Sequence, residues 1–117
     1  MPALSAERKR YVDDLAKNLD SLVQQLGAMP AVQRVILFGS YAAGRRDLGT
    51  DLDLLVVMES PLDFVARNVD LARRLQAGVA LDLLVYTPQE MKQIHDRPFI
   101  RRALETGKVL YERSSAS

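Results

Sequence analysis

Three short apolar runs dominate this chain, and each is marked by a polar group that an ordinary core strand lacks. Val35-Ile36-Leu37-Phe38 runs straight into Gly39-Ser40. Leu52 to Met58 is preceded by Asp51 and carries Asp53, and Val79 to Tyr86 encloses Asp82. Ten residues separate Ser40 from Asp51. Runs this short, rich in Val, Ile and Leu and bounded by glycine or polar residues, read as buried strands. Any sheet built from them has to accommodate three carboxylates and a glycine turn.

The segments between the runs read as helices. Residues 5–27 place Tyr11, Val12, Leu15, Leu19, Leu22, Val23 and Leu26 at helical spacing, with Ser5 as N-cap and Gly27 and Pro30 at the end. That stripe is long enough to cover a sheet or to extend toward a partner. Residues 40–44 read as a short helical turn and 45–50 as a polar loop. Ser60-Pro61 predicts the next helix, with Ser60 as N-cap, an inner face of Phe64, Val65, Asn68, Leu71, Ala72 and Leu75, and Gly78 as its close. Thr87-Pro88 predicts another, with Glu90 suited to its first turn. Pro98 interrupts it, Phe99 to Thr106 continues as helix, and Gly107 ends that. Val109-Leu110-Tyr111 reads as a short edge strand, and Ser114 to Ser117 as a frayed tail. The order α-β-α-β-α-β-α-α plus a last strand predicts one α/β domain over residues 1–117, with helices packed on a small mixed β-sheet.

Composition narrows the function classes. With 117 residues the chain suits one modest core. A net charge of +1 gives no argument for direct nucleic-acid binding. The absence of cysteine rules out disulfides, thiolate metal sites and a cysteine nucleophile, and fits a reducing compartment. No apolar stretch approaches the roughly 18 residues that span a membrane, and the N-terminus turns charged at once. The expectation is a soluble cytoplasmic protein without a membrane role.

The carboxylates carry the chemical argument. Side chains alternate along a strand, so Asp51 and Asp53 share a face, about 7 Å apart, while Leu52 and Leu54 point into the core. Like charges so placed repel unless a cation sits between them. Hard oxygen donors suit Mg²⁺ or Mn²⁺. Asp82, a lone carboxylate in an apolar run, needs solvent, a partner or a metal. If the third strand lies beside the second, Asp82 completes the cluster and stands ready to take a proton from an attacking hydroxyl. Taken singly, each aspartate also fits a strand cap or an arginine partner. Gly39 allows a tight turn and close backbone approach, and Ser40 adds a hydroxyl, a combination that suits phosphate. The patterns GxxxxGK[ST] and GxGxxG are missing, which disfavours P-loop and Rossmann readings.

The stretch LFGSYAAGRRDLGTDLDLLVV resembles the nucleotidyltransferase signature shared with DNA polymerase beta: Gly-Ser, a spacer, Asp-x-Asp, and a later Asp on another strand. The short length and the ending PFIRRALETGKVLYE resemble the minimal nucleotidyltransferases, which commonly accompany a HEPN-domain toxin as its antitoxin. The resemblance covers roughly residues 30–112 and implies a polymerase-beta-palm-like fold. It implies that Gly39 and Ser40 hold the triphosphate, that Asp51 and Asp53 ligate metal, and that Asp82 is the third acidic residue. It further implies transfer of AMP from ATP, with Mg²⁺ or Mn²⁺, to a hydroxyl. In a type VII-like toxin–antitoxin pair that hydroxyl is a tyrosine of the HEPN partner, and a hetero-oligomer follows. Many relatives read Gly-Ser-Tyr-Ala-Arg-Gly, where this chain has Ala43, so Arg45 or Arg46 is the expected source of nucleotide-binding charge. The rival reading is a non-catalytic antitoxin that neutralises its toxin by contact. His95 reads as surface, the pairs Arg73-Arg74 and Arg101-Arg102 as solvated helix faces with a phosphate or an acidic partner as the minority reading for either pair, and Tyr41 as either packing or site lining.

Overall fold

The computed structural model describes residues 2–113, with side chains from Ser5 onward. The elements are α1 (Pro2–Gly27), β1 (Val32–Phe38), α2 (Gly39–Ala42), β2 (Leu52–Met58), α3 (Phe64–Arg74), β3 (Leu81–Tyr86), α4 (Pro88–Ile94), α5 (Pro98–Thr106) and β4 (Lys108–Glu112). The four strands form one mixed sheet in the order β3-β2-β1-β4. β1 is antiparallel to both its neighbours, while β2 and β3 run parallel. A parallel pair needs a crossover, and α3 supplies it. The expected α/β fold with a small mixed sheet is therefore found, with β4 on an edge as expected. The tail Ser114 to Ser117 lies outside the described residues.

Period-two alternation divides the core between the two faces of the sheet. On one face, Leu15, Leu19, Leu22 and Leu26 of α1 and Leu71 of α3 pack on Val35, Leu37, Leu52, Leu54, Val56 and Val85. The long α1 stripe thus covers the sheet from Tyr11 onward. On the other face, Met91 and Ile94 of α4 and Ile100 of α5 pack on Ile36, Leu55 and Val57. Asp53 belongs to this second face by alternation, but its end of the strand carries no such apolar cover. Among the described residues, no helix is long and apolar enough to cross a membrane.

Several local expectations are corrected. α1 begins at Pro2, so Ser5 lies within the helix and is not its cap. α3 begins at Phe64, capped by Asp63, whose carboxylate accepts the Ala66 N–H at 2.9 Å. Ser60 instead accepts the Leu62 N–H in a local turn. An Asp cap at the true boundary outweighs the Ser-Pro signal three residues earlier. α3 ends at Arg74, short of Gly78, and β3 starts at Leu81 where Val79 was expected. Its inner face also differs. Val65 is 70 % exposed and Ala72 lies at the surface, while Arg67 is buried.

Arg67 fastens the crossover. Its guanidinium donates to the Val85 carbonyl of β3 at 2.9 Å, to the Leu62 carbonyl at 3.0 Å, and to Glu90 of α4 at 2.7 Å. Glu90 also closes a capping box with Thr87: its carboxylate accepts the Thr87 N–H at 2.8 Å, and the Thr87 hydroxyl accepts the Glu90 N–H at 3.2 Å. Burial pushes the Glu90 carboxyl up, but the Thr87 N–H and Arg67 hold it, on balance, below its ordinary value. One side chain thereby joins α3, β3 and α4. Replacing it with an apolar residue leaves the two carbonyls without that donor and Glu90 without its counter-charge. Arg67→Met is expected to cost about 3 kcal/mol, read as a lower urea midpoint with an unchanged slope.

Candidate active site

The parallel register of β2 and β3 sets Asp53 directly opposite Asp82. Neighbours in a parallel pair project from the same face, so the two carboxylates come within hydrogen-bond reach of one another. Asp51 lies just before β2 on the same side and adds its charge. Asp53 is half-buried and Asp82 exposed. Burial, then the contact with Asp82, then the charges of Asp82 and Asp51 push the Asp53 carboxyl from 3.8 up to about 6. The adjacency that spacing alone left open is settled: Asp53 and Asp82 lie side by side, with Asp51 just before β2.

On its other side Asp53 faces the end of β1, where Phe38 is its register partner. The next residue, Gly39, has φ +76° and opens α2. A Cβ at Gly39 would strike Asp53 Oδ2 and stand 2.8 Å from its Cγ. Glycine is therefore required twice: by the left-handed backbone and by the carboxylate lying against it. Ser40 follows on α2, half-buried, with its carbonyl accepting the Arg45 N–H at 3.0 Å. The Gly-Ser turn and the acidic group are one constellation.

The two loop arginines, the expected source of nucleotide-binding charge, each engage a neighbour of their own. Arg45 Nε donates to both Asp47 oxygens, at 2.8 and 3.0 Å. That pair raises the Arg45 pKa and lowers that of Asp47. Arg46 lies over the Tyr41 ring at 3.4 Å and donates to the Tyr41 and Arg45 carbonyls at 2.7 and 2.8 Å. It borders a surface hollow with Arg8, Lys9 and Val12 of α1. Neither arginine lines the cavity beside Gly39, which is bordered by Phe38, Ala43, Phe99, Arg102 and Thr106. Phe99, Arg102, Ala103 and Thr106 recur at i, i+3, i+4 and i+7, so sequence marks them as one helix face. Only the fold shows that this face closes over the Gly39 turn. His95 is exposed, as expected.

Hard carboxylate oxygens in mutual contact fit a divalent cation such as Mg²⁺, which characteristically takes one or two carboxylates and completes its shell with phosphate and water. Among the described residues, no group of three or more His, Cys, Asp or Glu side chains is placed so as to hold a metal ion. The arrangement is an open acidic edge beside a turn suited to phosphate.

Comparison with known proteins places the chain in a family. Residues 20–116 match the family model described as polymerase beta, nucleotidyltransferase. A protein of Methanocaldococcus jannaschii, named as a candidate protein adenylyltransferase, is 34 % identical over 82 residues, covering 68 % of this chain and 79 % of the relative. The crystal structure of a candidate nucleotidyltransferase from Sulfolobus solfataricus superposes with a TM-score of 0.56 at 21 % identity, covering 92 % of this chain and 86 % of that one. A toxin–antitoxin structure determined with AMP-PNP superposes with a TM-score of 0.50 at 23 % identity, covering 84 % of this chain and 73 % of that one. The chain belongs to the polymerase beta nucleotidyltransferase family and is a nucleotidyltransferase. The resemblance to its minimal members fits these matches.

Two outcomes test the site geometry. Gly39→Ala forces a Cβ onto Asp53 at a positive φ. It is expected to lower stability by at least about 1–2 kcal/mol and to abolish transfer, measured by thermal melting and a labelled-nucleotide assay. The second concerns pH in the metal-free protein. Folded Asp53 keeps its proton up to about pH 6, whereas the unfolded residue loses it near 3.8. Its contribution to stability is therefore full below 3.8 and is lost as pH rises through about 6. Asp53→Asn removes that loss. Its stability relative to wild type should rise between pH 4 and 7 in EDTA, and a parallel pair of pH profiles would refute the raised Asp53 pKa, of which burial is the largest cause.

Proposed function

We propose that the chain transfers AMP from ATP to a protein hydroxyl, with Mg²⁺, and that the acceptor is a tyrosine of a HEPN-domain toxin for which it is the antitoxin. The observation that carries this reading is the side-by-side placement of Asp53 and Asp82 against Gly39. The relative named for protein adenylyl transfer supports a protein acceptor. The fold shared with a toxin–antitoxin structure is in keeping with a toxin partner.

In this reading Asp53, Asp82 and Asp51 hold Mg²⁺, and Gly39 and Ser40 receive the phosphates. The cation, when bound, neutralises the charge on the transferring phosphoryl group and aligns attacking and leaving oxygens. The acidic group otherwise repels ATP, so nucleotide and metal bind together. The acceptor oxygen forms a bond to the α-phosphorus, and the bond from that phosphorus to the pyrophosphate oxygen breaks. Asp82, exposed at the edge of the group, accepts the hydroxyl proton. The half-buried Asp53 stays anchored between strands and keeps the geometry fixed.

The test is incubation with labelled ATP and Mg²⁺, with and without the protein encoded next to this one, followed by intact mass. Gain of AMP on that neighbour, absent with Asp53→Asn, is the expected result. A stable silencing complex without any gain of mass would instead support neutralisation by contact. The transfer rate of Asp53→Asn should fall at least about 100-fold, because it removes a group that acts in the transition state.

A further inference from the structure

A cavity between the α2 turn and α5 lies beside the acidic site, with Gly39 shared between them. It encloses about 350 Å³, and Gly39, which carries Asp53 against its backbone, forms part of its lining. Phe38 and Phe99 give it an aromatic wall; their rings meet edge to face with centroids 5.8 Å apart, and Phe99 is 58 % exposed. Arg102, from the middle of α5, is the one charged residue of that lining among the described residues. No ion pair found among them involves it. The adjacent Arg101 turns away and pairs with Glu105.

The other candidate cations are engaged. Arg45 is held by both oxygens of Asp47, and Arg46 is stacked on Tyr41. Acidic Asp51, Asp53 and Asp82 make the surroundings unfavourable to a polyphosphate unless positive charge opposes them. A guanidinium offers a planar fork that matches phosphate oxygens, and an apolar wall strengthens its attraction by excluding water.

We infer that Arg102 of α5 binds the phosphates of the nucleotide in the cavity beside Gly39, the role expected from sequence for Arg45 or Arg46. This rests on the nucleotide-transfer reading above and adds to it a residue outside the Gly-Ser and Asp-x-Asp motif. Ala43 lines the same cavity, so an arginine introduced there can reach the same ligand.

The experiment is calorimetric titration of ATP, with and without Mg²⁺, and of adenosine into wild type, Arg102→Ala, Arg102→Lys and the double variant Ala43→Arg/Arg102→Ala, with thermal melts to confirm folding. Arg102→Ala should bind ATP roughly tenfold more weakly or worse and adenosine unchanged. Arg102→Lys should recover part of the loss, and the double variant most of it. Unaltered ATP binding by Arg102→Ala, or an equal loss for adenosine, overturns the assignment while leaving nucleotide transfer standing. Failure of the wild type itself to take up ATP removes the transfer reading, and Arg102's role with it.

Discussion

The placement of half-buried Asp53 beside Asp82 is the constraint on which the site depends. Two like charges in contact at the half-buried end of a sheet oppose folding, and their proximity is imposed by the register of β2 and β3. That register is held elsewhere. Along the same strands, Leu54, Leu55, Val56 and Val85 are fully buried. A shift of one residue would turn each of them to the wrong face. Apolar burial along the strands thus holds in place a charged pair that would separate if free. The strain sits where a cation and a polyanion would relieve it, as is common at sites that bind ionic ligands.

The second face of the sheet combines two environments. Toward the end of β2 it is covered by α4 and α5 through Met91, Ile94 and Ile100. Toward its start it opens into the acidic edge, the Gly39 turn and the cavity under α5. Arg67 contributes at a distance. By tying α3 and α4 to the carbonyl of Val85, it holds the crossover and the strand that bears Asp82. Its role is positional, since it faces neither the cavity nor the carboxylates.

Much of this was legible in order along the chain. Leu52–Met58 is bounded in the structure as its apolar run predicts, and Thr87-Pro88 with Glu90 forms the helix start that its residues announce. These signals are local, involving propensity and capping within a few residues. Misplaced boundaries arose where two local signals competed. Ser60-Pro61 and Asp63 both look like helix starts, and packing of the crossover on β3 selected the second. Val65 and Ala72 were read on the inner face of α3, yet Arg67 takes the buried side because Glu90 and two carbonyls wait for it there. No spacing rule reveals those partners. Arg45 or Arg46 was expected to supply nucleotide-binding charge; the fold stacks Arg46 on Tyr41 beside the α1 surface, contacts that no spacing rule reveals.

By itself the sequence determined the strands, the faces they present and the identity of the three carboxylates and the glycine, because alternation and glycine's backbone freedom are properties of a few adjacent residues. It also determined that Asp51 and Asp53 would share a side. Tertiary structure alone decided that β3 lies beside β2, that Asp82 therefore meets Asp53, that Gly39 has no room for a Cβ, and that Arg102 rather than Arg45 or Arg46 borders the cavity. Those outcomes depend on which strand edges pair and on which face each helix packs. Such choices are made by the burial of the whole core and by groups far apart in the chain, which no local spacing encodes.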